Sequence, residues 1–316
     1  MGMLVEGRWK TGEFPKDEEG RFVRQKTTFR GRITADGSSG HPAEAGRYHL
    51  YISWACPWAH RTAILRTVKG LEEAISLSSV EPYMGKDGWT FSAEGEFADP
   101  LFGESHLRDI YVRADPDATG RVTTPVLWDK ETGEIVNNES REIIRMLDHE
   151  FEELASGPDF CPSDLEDEIE QVLDEIYEPV NNGVYRAGFA TTQAAYEEAV
   201  TELFEALDRW EDVLGGRRYL CGDRITEADW AMFTTLVRFD AVYHGHFKCN
   251  IRRIVDYPNL WGYVRDLYAY PGVAETVRLD QIKKHYYTSH ESVNPTRIVP
   301  VGPAIDFTIP HGREGI

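Results

Sequence analysis

The 316-residue chain is poor in positive charge: Asp and Glu number 54 against 34 Lys and Arg, a formal net charge of -20. Nucleic acid is excluded as a partner on that ground, because phosphate binding needs a basic face. Long apolar runs are missing as well. No stretch approaches the ~18 residues of a membrane span, so no membrane association is expected. The opening residues, MGMLVEGRWKTGEF, lack the apolar core of a secretory signal. Cysteine is scarce and unpaired: Cys56, Cys161, Cys221 and Cys249 are scattered along the chain. That pattern points to a cytoplasmic protein with free thiols rather than a disulfide scaffold.

The acidic residues run through the whole chain instead of gathering in a tail. An aromatic content of 12% supports a substantial core and argues against disorder. A distributed acidic surface suits a halophilic protein, kept soluble at high salt where screening removes its self-repulsion. An ordinary acidic enzyme is the plainer reading.

The length predicts two domains. Residues 1–45 are rich in Gly, charged and polar residues and read as a mostly irregular extension. RYHLYIS alternates like a strand. CPWAHRTAILRTVKGLE reads as a helix, with Pro57 in its first turn and Gly70 near its end. AISLSSVEP is a second strand. Residues 83–115 look like an insertion with one short helix near LRDIYVRA. TTPVLWDK and EIVNN make two more strands, and ESREIIRMLDHEF a helix opened by Ser140. The order over 46–150 is that of an α/β thioredoxin-like domain. Residues 151–163 form a linker by their Gly, Pro and Ser content. The spacing of apolar residues then predicts an all-α domain over 164–285, followed by an irregular tail, 286–316. There are no internal repeats.

Cys56 falls at the junction of the first strand and helix. The unpaired N–H groups and the positive dipole end of a helix favour a thiolate there. The plainer fate of a free cysteine is a small buried apolar residue. Three residues on, where a dithiol motif has its second cysteine, stands Ala59. In thioredoxin-like folds the proline before this strand is typically cis and faces the active-site cysteine; Thr124-Pro125, just before VLWD, resembles that pair, or simply starts an edge strand. In NNES, Ser140 can cap the helix beginning at Arg141. The same hydroxyl and helix N-terminus can bind an α-carboxylate, and Glu139 the neighbouring α-ammonium. Together those groups describe the γ-glutamyl end of a thiol peptide such as glutathione.

In the helical half, TEAD (Thr226–Asp229) has capping-box spacing and reads as structural. VYHGHFKCN holds two histidines and a cysteine, but matches no usual zinc spacing, so no metal is expected. Tyr185, Tyr243 and the pair Tyr286/Tyr287 come from separate segments. Each is either a core aromatic with its hydroxyl at the surface, or a donor toward a thiolate or an aromatic diol.

Taken in order, WACPWAHR, GWTF, RVTTPVLWD, NNES, NNGVYRAGFAT, HFKCN, DQIKKHYY and NPTRIVPVGP resemble the motifs of the glutathionyl-hydroquinone reductases, or Xi-class glutathione transferases, over nearly the whole chain. The resemblance implies Cys56 as nucleophile, forming a mixed disulfide that a second thiol resolves, and Tyr185 as the group exchanging a proton with the aromatic substrate. It implies that Tyr243 and Tyr286 donate hydrogen bonds toward the thiolate. Trp89 would pack against the thiol peptide, and Arg121, Val122, Thr123 and Thr124 would line it. Glu139 and Ser140 would hold its γ-glutamyl end. The family usually has Val at the position of Thr124, a change that a backbone contact survives. The resemblance also implies a homodimer, no bound cofactor, and glutathione or γ-glutamylcysteine as co-substrate. The rival readings are an omega-type thioltransferase or dehydroascorbate reductase, and a non-enzymatic module of the same fold.

Overall fold

The computed structural model describes residues 2–12 and 15–316; Met1, Glu13 and Phe14, part of the extension read from sequence, lie outside the described residues. The chain divides into two units. The first takes the residues before the hairpin at Pro15 together with Arg24–Pro158, and the second takes Pro15–Val23 together with Asp159–Ile316.

The first unit opens on an antiparallel hairpin, β1 (Gly2–Val5) and β2 (Arg8–Thr11). The N-terminal residues are therefore more ordered than their polar composition suggests. Leu4 is buried in the core of this unit, and the N–H groups of Leu4 and Gly120 donate to each other's carbonyls. Further along, Arg30 bridges the sheet edge at Asn137. Long-range pairing supplies an order that local propensity does not.

The main sheet has the order β4-β3-β5-β6, with β3 (Tyr48–Ile52), β4 (Ile75–Ser79), β5 (Val126–Asp129) and β6 (Glu134–Asn137). β3 pairs parallel with β4 and antiparallel with β5; β5 and β6 form an antiparallel pair with a bulge at Leu127/Trp128. Every residue of β3 is buried, as expected of a central strand covered on both faces. The helices are α1 (Pro57–Val68), α2 (Leu107–Ala114) and α3 (Ser140–His149). Leu107, Ile110 and Tyr111 of α2 cluster with Tyr51, Val126, Trp128 and Ile135 of the strands. α1 packs on α3. This is the β-α-β-(insert, α)-β-β-α arrangement of a thioredoxin-like domain.

Asp129, at the end of β5, is fully buried. Arg47 Nη2 donates to Oδ2 at 2.7 Å, and His41 Nδ1 lies 2.8 Å from the same oxygen. Burial pushes this carboxyl up, but the bonds from Arg47 and His41 outweigh it and hold the pKa at about 2. The folded value lies below the unfolded one. The stabilisation, about 2 kcal/mol, is therefore complete above roughly pH 4 and lost as the pH falls toward 2. Urea unfolding followed from roughly pH 4.5 down to 2.5 should show this loss in the wild type and a shallower one in Asp129→Asn. An equally steep loss in the variant contradicts the assignment.

The second unit is helical: α4 (Glu166–Ile176), α5 (Gly183–Gly188), α6 (Gln193–Leu214), α7 (Glu227–Arg238), α8 (His244–His246), α9 (Pro258–Tyr268) and α10 (Leu279–Ser289). Two π-helical turns, Tyr177–Asn181 and Phe239–Tyr243, follow α4 and α7. The 3.6-residue spacing that predicts the helices does not distinguish these wider turns. α10 runs on to Ser289, so Tyr286 and Tyr287 are helical rather than part of an irregular tail. His285, Tyr286 and Ser289 continue the buried stripe of Gln281 and Ile282. The loop before α4 is anchored at Phe160, which is buried edge-on to Trp230 and Tyr270.

The TEAD capping box is present. Asp229 Oδ2 accepts from Thr226 N at 2.7 Å, while Oδ1 accepts from Leu220 N at 2.9 Å and Tyr263 OH at 2.8 Å. Its bonds are spent on holding backbone and a core tyrosine. Among the described residues no helix is long and apolar enough to cross a membrane.

Candidate active site

Cys56 is the N-cap of α1, in extended backbone (φ -77, ψ 119), with Pro57 as the first helical residue. Its side chain makes no capping bond, so the sulfur stands at the positive end of the helix without being used as a cap. The thiol is half-buried, whereas Cys161, Cys221 and Cys249 are buried. Sγ lies 3.5 Å from Thr124 O, within reach for the thiol to donate. The Thr124-Pro125 bond is cis. Ala59 is fully buried in α1.

The loop ending at Thr124 is held from behind. Tyr111 OH donates to Thr123 O at 2.9 Å and accepts from Thr123 N at 3.2 Å and Asn138 Nδ2 at 3.1 Å. Burial raises the Tyr111 pKa, so the phenol stays a donor. Sequence reasoning missed this pair. Tyr111 falls in the short helix of the insertion and Asn138 just before ES; only the tertiary fold joins them. Val122 and Trp89 are buried in one apolar cluster with Tyr51 and Phe91. Arg121 Nη1 donates to Gly2 O at 3.2 Å, and burial lowers its pKa.

Ser140 does not cap α3. It is the first helical residue, and the cap is Glu139, whose carboxylate accepts from Arg141 N at 3.3 Å. The extended backbone of Glu139 lets its longer side chain turn back onto the first turn. Thr27 Oγ1 donates to the other carboxylate oxygen at 3.1 Å. Ser140 Oγ is then buried without a hydrogen-bond partner among the described residues. An unpaired buried hydroxyl costs about 1–3 kcal/mol, and at a helix N-terminus it is placed to meet an anion.

The second unit gathers the three tyrosines. Tyr185 lies on α5, Tyr243 ends a π-helical turn, and Tyr286 lies on α10. Tyr185 OH is 2.5 Å from Tyr286 OH, which is 3.0 Å from Tyr243 OH. Burial raises the pKa of Tyr243 and of Tyr286 well above the usual phenol value. Both remain protonated donors, and a hydroxyl that accepts within such a chain donates more strongly. Tyr185 is the half-buried member. Phe247 stacks on Tyr243 at 5.6 Å and meets Tyr185 edge-on at 5.6 Å. It rests on bare backbone at Gly188, where a Cβ would come within 2.2 Å of the ring. Of the His-Cys stretch, His246 Nε2 meets His290 Nδ1 at 3.1 Å, with both pKa values lowered by burial, His246 to about 4. Cys249 Sγ instead faces the carbonyls of Phe247 and Val184.

The first unit thus offers a thiol at the N-terminus of α1 and a buried hydroxyl at that of α3, and the second a chain of phenols. Both units match family models for the glutathione S-transferases: the N-terminal domain over residues 55–150 and the C-terminal domain over 193–266. The chain is 53% identical to glutathionyl-hydroquinone reductase PcpF of Sphingobium chlorophenolicum, across 96% of this chain and 97% of that protein. Among solved structures it resembles a Xi-class glutathione transferase from Natrialba magadii, with 57% identity, a TM-score of 0.94, and coverage of 99% and 96% of the two chains. It also resembles the glutathione-bound structure of YqjG, a glutathione transferase homolog from Escherichia coli K-12, at 52% identity and a TM-score of 0.89, covering 91% and 96%. The chain belongs to the glutathionyl-hydroquinone reductases, the Xi class of glutathione transferases.

Proposed function

We propose that this chain is a thiol-dependent reductase that converts glutathionyl-hydroquinones, or their γ-glutamylcysteinyl counterparts, to free hydroquinones. The observation that carries the proposal is the uncapped Cys56 sulfur at the N-terminus of α1, facing Thr124 O. The Cys56 thiolate attacks the sulfur of the conjugate. The bond between that sulfur and the ring breaks, its electron pair goes to the ring carbon, and that carbon takes a proton. Tyr185 is the group assigned to this proton exchange, and Tyr243 and Tyr286 to hydrogen bonding that supports the thiolate. The product left on the protein is a Cys56 mixed disulfide with the thiol peptide. A second thiol attacks it, releases the oxidised disulfide and restores Cys56. Two thiols supply the two electrons, so the chemistry calls for no bound cofactor or metal.

Trp89, Arg121, Val122, Thr123 and Thr124 are assigned to lining the thiol peptide, with Glu139 and Ser140 holding its γ-glutamyl end. These two residues read only that end, so γ-glutamylcysteine fits the same assignment. Ser140→Ala removes a buried hydroxyl that has no partner among the described residues, so stability should hold while the KM for glutathione rises about tenfold. Steady-state kinetics with varied glutathione, beside thermal unfolding, checks this. An unchanged KM removes Ser140 from the site.

We also infer a homodimer working in the cytoplasm, with the surplus of acidic residues as a high-salt adaptation. Activity and dimer content, followed by light scattering from low to molar salt, test both. Falling activity and dissociation as salt is added would contradict the adaptation.

A further inference from the structure

The residues Pro15–Val23 form a small hairpin that belongs to the helical unit. Lys16 bridges Phe22, Val23 N donates to Pro15 O at 3.0 Å, and Asp17 N donates to Arg21 O at 3.1 Å. The turn is tightened by Arg21 N donating to Asp17 Oδ1 at 2.8 Å. This hairpin docks on the connection between α5 and α6, more than 160 residues later in sequence. Thr191 N and Oγ1 both donate to Gly20 O, at 3.0 and 3.2 Å, and Thr192 Oγ1 donates to Glu19 O at 2.8 Å. Arg21 Nε donates to Glu198 Oε2 of α6 at 3.0 Å. Gly20 has a positive φ of 84°, and a Cβ there would come within 2.6 Å of Thr191 Oγ1, so only glycine fits the docked turn.

Docking lays Phe22 on Phe189, with ring centroids 5.5 Å apart. Phe189 touches Tyr185 at 6.2 Å and Phe247 at 5.1 Å. Phe22 is therefore joined, through one ring, to the half-buried phenol and to the ring that stacks on Tyr243. Phe189 and Tyr185 sit on either side of the turn that ends α5. The hairpin fixes that turn by backbone bonds on one side of Phe189 and by a ring contact on its face.

We propose that the Pro15–Val23 hairpin is a positioning element for the aromatic half of the substrate, with Phe22 its working residue. It holds Phe189, and through it Tyr185, in the orientation that an aromatic alcohol meets. It makes no demand on the thiol peptide. The proposal rests on the function assigned above, and its test separates the two.

Phe22→Ala, Phe22→Leu and Gly20→Val are compared with wild type on a glutathionyl-hydroquinone and on a small aliphatic glutathione mixed disulfide. The ratio of kcat/KM for the aromatic conjugate to that for the aliphatic disulfide should fall about tenfold in Phe22→Ala and Gly20→Val, mainly through KM, the scale of one lost aromatic contact. Phe22→Leu, which keeps bulk at this position, should recover part of the ratio. A ratio unchanged in Phe22→Ala, or two specificity constants that fall in parallel, would overturn the proposal. If wild type turns over the aliphatic disulfide but not the aromatic conjugate, the assigned function fails and the hairpin is judged by binding. In Cys56→Ser protein, Phe22→Ala should then weaken the binding of 2-naphthol, a redox-stable aromatic alcohol, about tenfold. Equal binding overturns the role of the hairpin.

Discussion

Cys56→Ser should lose turnover of a glutathionyl-hydroquinone by about 10³-fold or more while unfolding at or above the wild-type temperature. The two halves of this result have separate causes. Serine cannot form the mixed disulfide, and its hydroxyl is a far weaker nucleophile than a thiolate at neutral pH. Yet Cys56 occupies the N-cap of α1 without using its side chain as a cap, and serine is among the favoured residues there, worth about 0.5–2 kcal/mol over residues that cannot cap. Lost activity with retained or raised stability identifies a nucleophile rather than damage to the fold. The other three cysteines are buried, so alkylation of the native protein should also fall to near zero in this variant. Persisting turnover would move the chemistry to another group.

Tyr185→Phe should lower kcat on the same substrate by about 10²–10⁴-fold, the usual worth of a positioned acid or base, with a smaller change on an aliphatic mixed disulfide. The aliphatic reaction leaves a thiolate, which needs no proton on carbon. The hydroquinone reaction leaves its electron pair on a ring carbon and does. Tyr185 is the half-buried end of the phenol chain, hydrogen-bonded at 2.5 Å to Tyr286. Removing its hydroxyl takes away the half-buried member and leaves the Tyr243–Tyr286 contact in place. An undiminished kcat on the conjugate would instead favour a general thioltransferase of omega type. Tyr185→Phe is informative because the ring, and with it the packing on Phe189 and Phe247, is retained.

The four strands of the main sheet, the helix after Cys56 and the capping box at Thr226 were legible because each rests on a local rule: alternation, proline in a first turn, or reciprocal side-chain capping. For Thr124-Pro125 the sequence left open a cis turn facing Cys56 or the start of an edge strand; the bond is cis, and Thr124 O lies 3.5 Å from Cys56 Sγ. The sequence could not show that Glu139, rather than Ser140, caps α3. Either residue can serve by type, and the choice turns on one backbone conformation. Nor could it show the π-helical turn that ends at Tyr243, because an extra residue in one turn leaves the apolar stripe intact. Tyr111 and Asn138 were silent for a different reason: their partner, the backbone of Thr123, carries no side-chain signal. The early segment misled most. Residues 15–23 look like a polar tether, yet Gly20 and Phe22 acquire their purpose only from Thr191 and Phe189, far along the chain.

The central claim is that Cys56 carries the thiol peptide as a mixed disulfide. Its most direct test is mass spectrometry of the Cys56 peptide after the protein meets one equivalent of glutathionyl-hydroquinone with no second thiol present. The account predicts a single glutathione on Cys56, with free hydroquinone released in equal amount and the adduct removed by added glutathione. An unmodified Cys56, or the aromatic ring attached to it in place of the peptide, would contradict it.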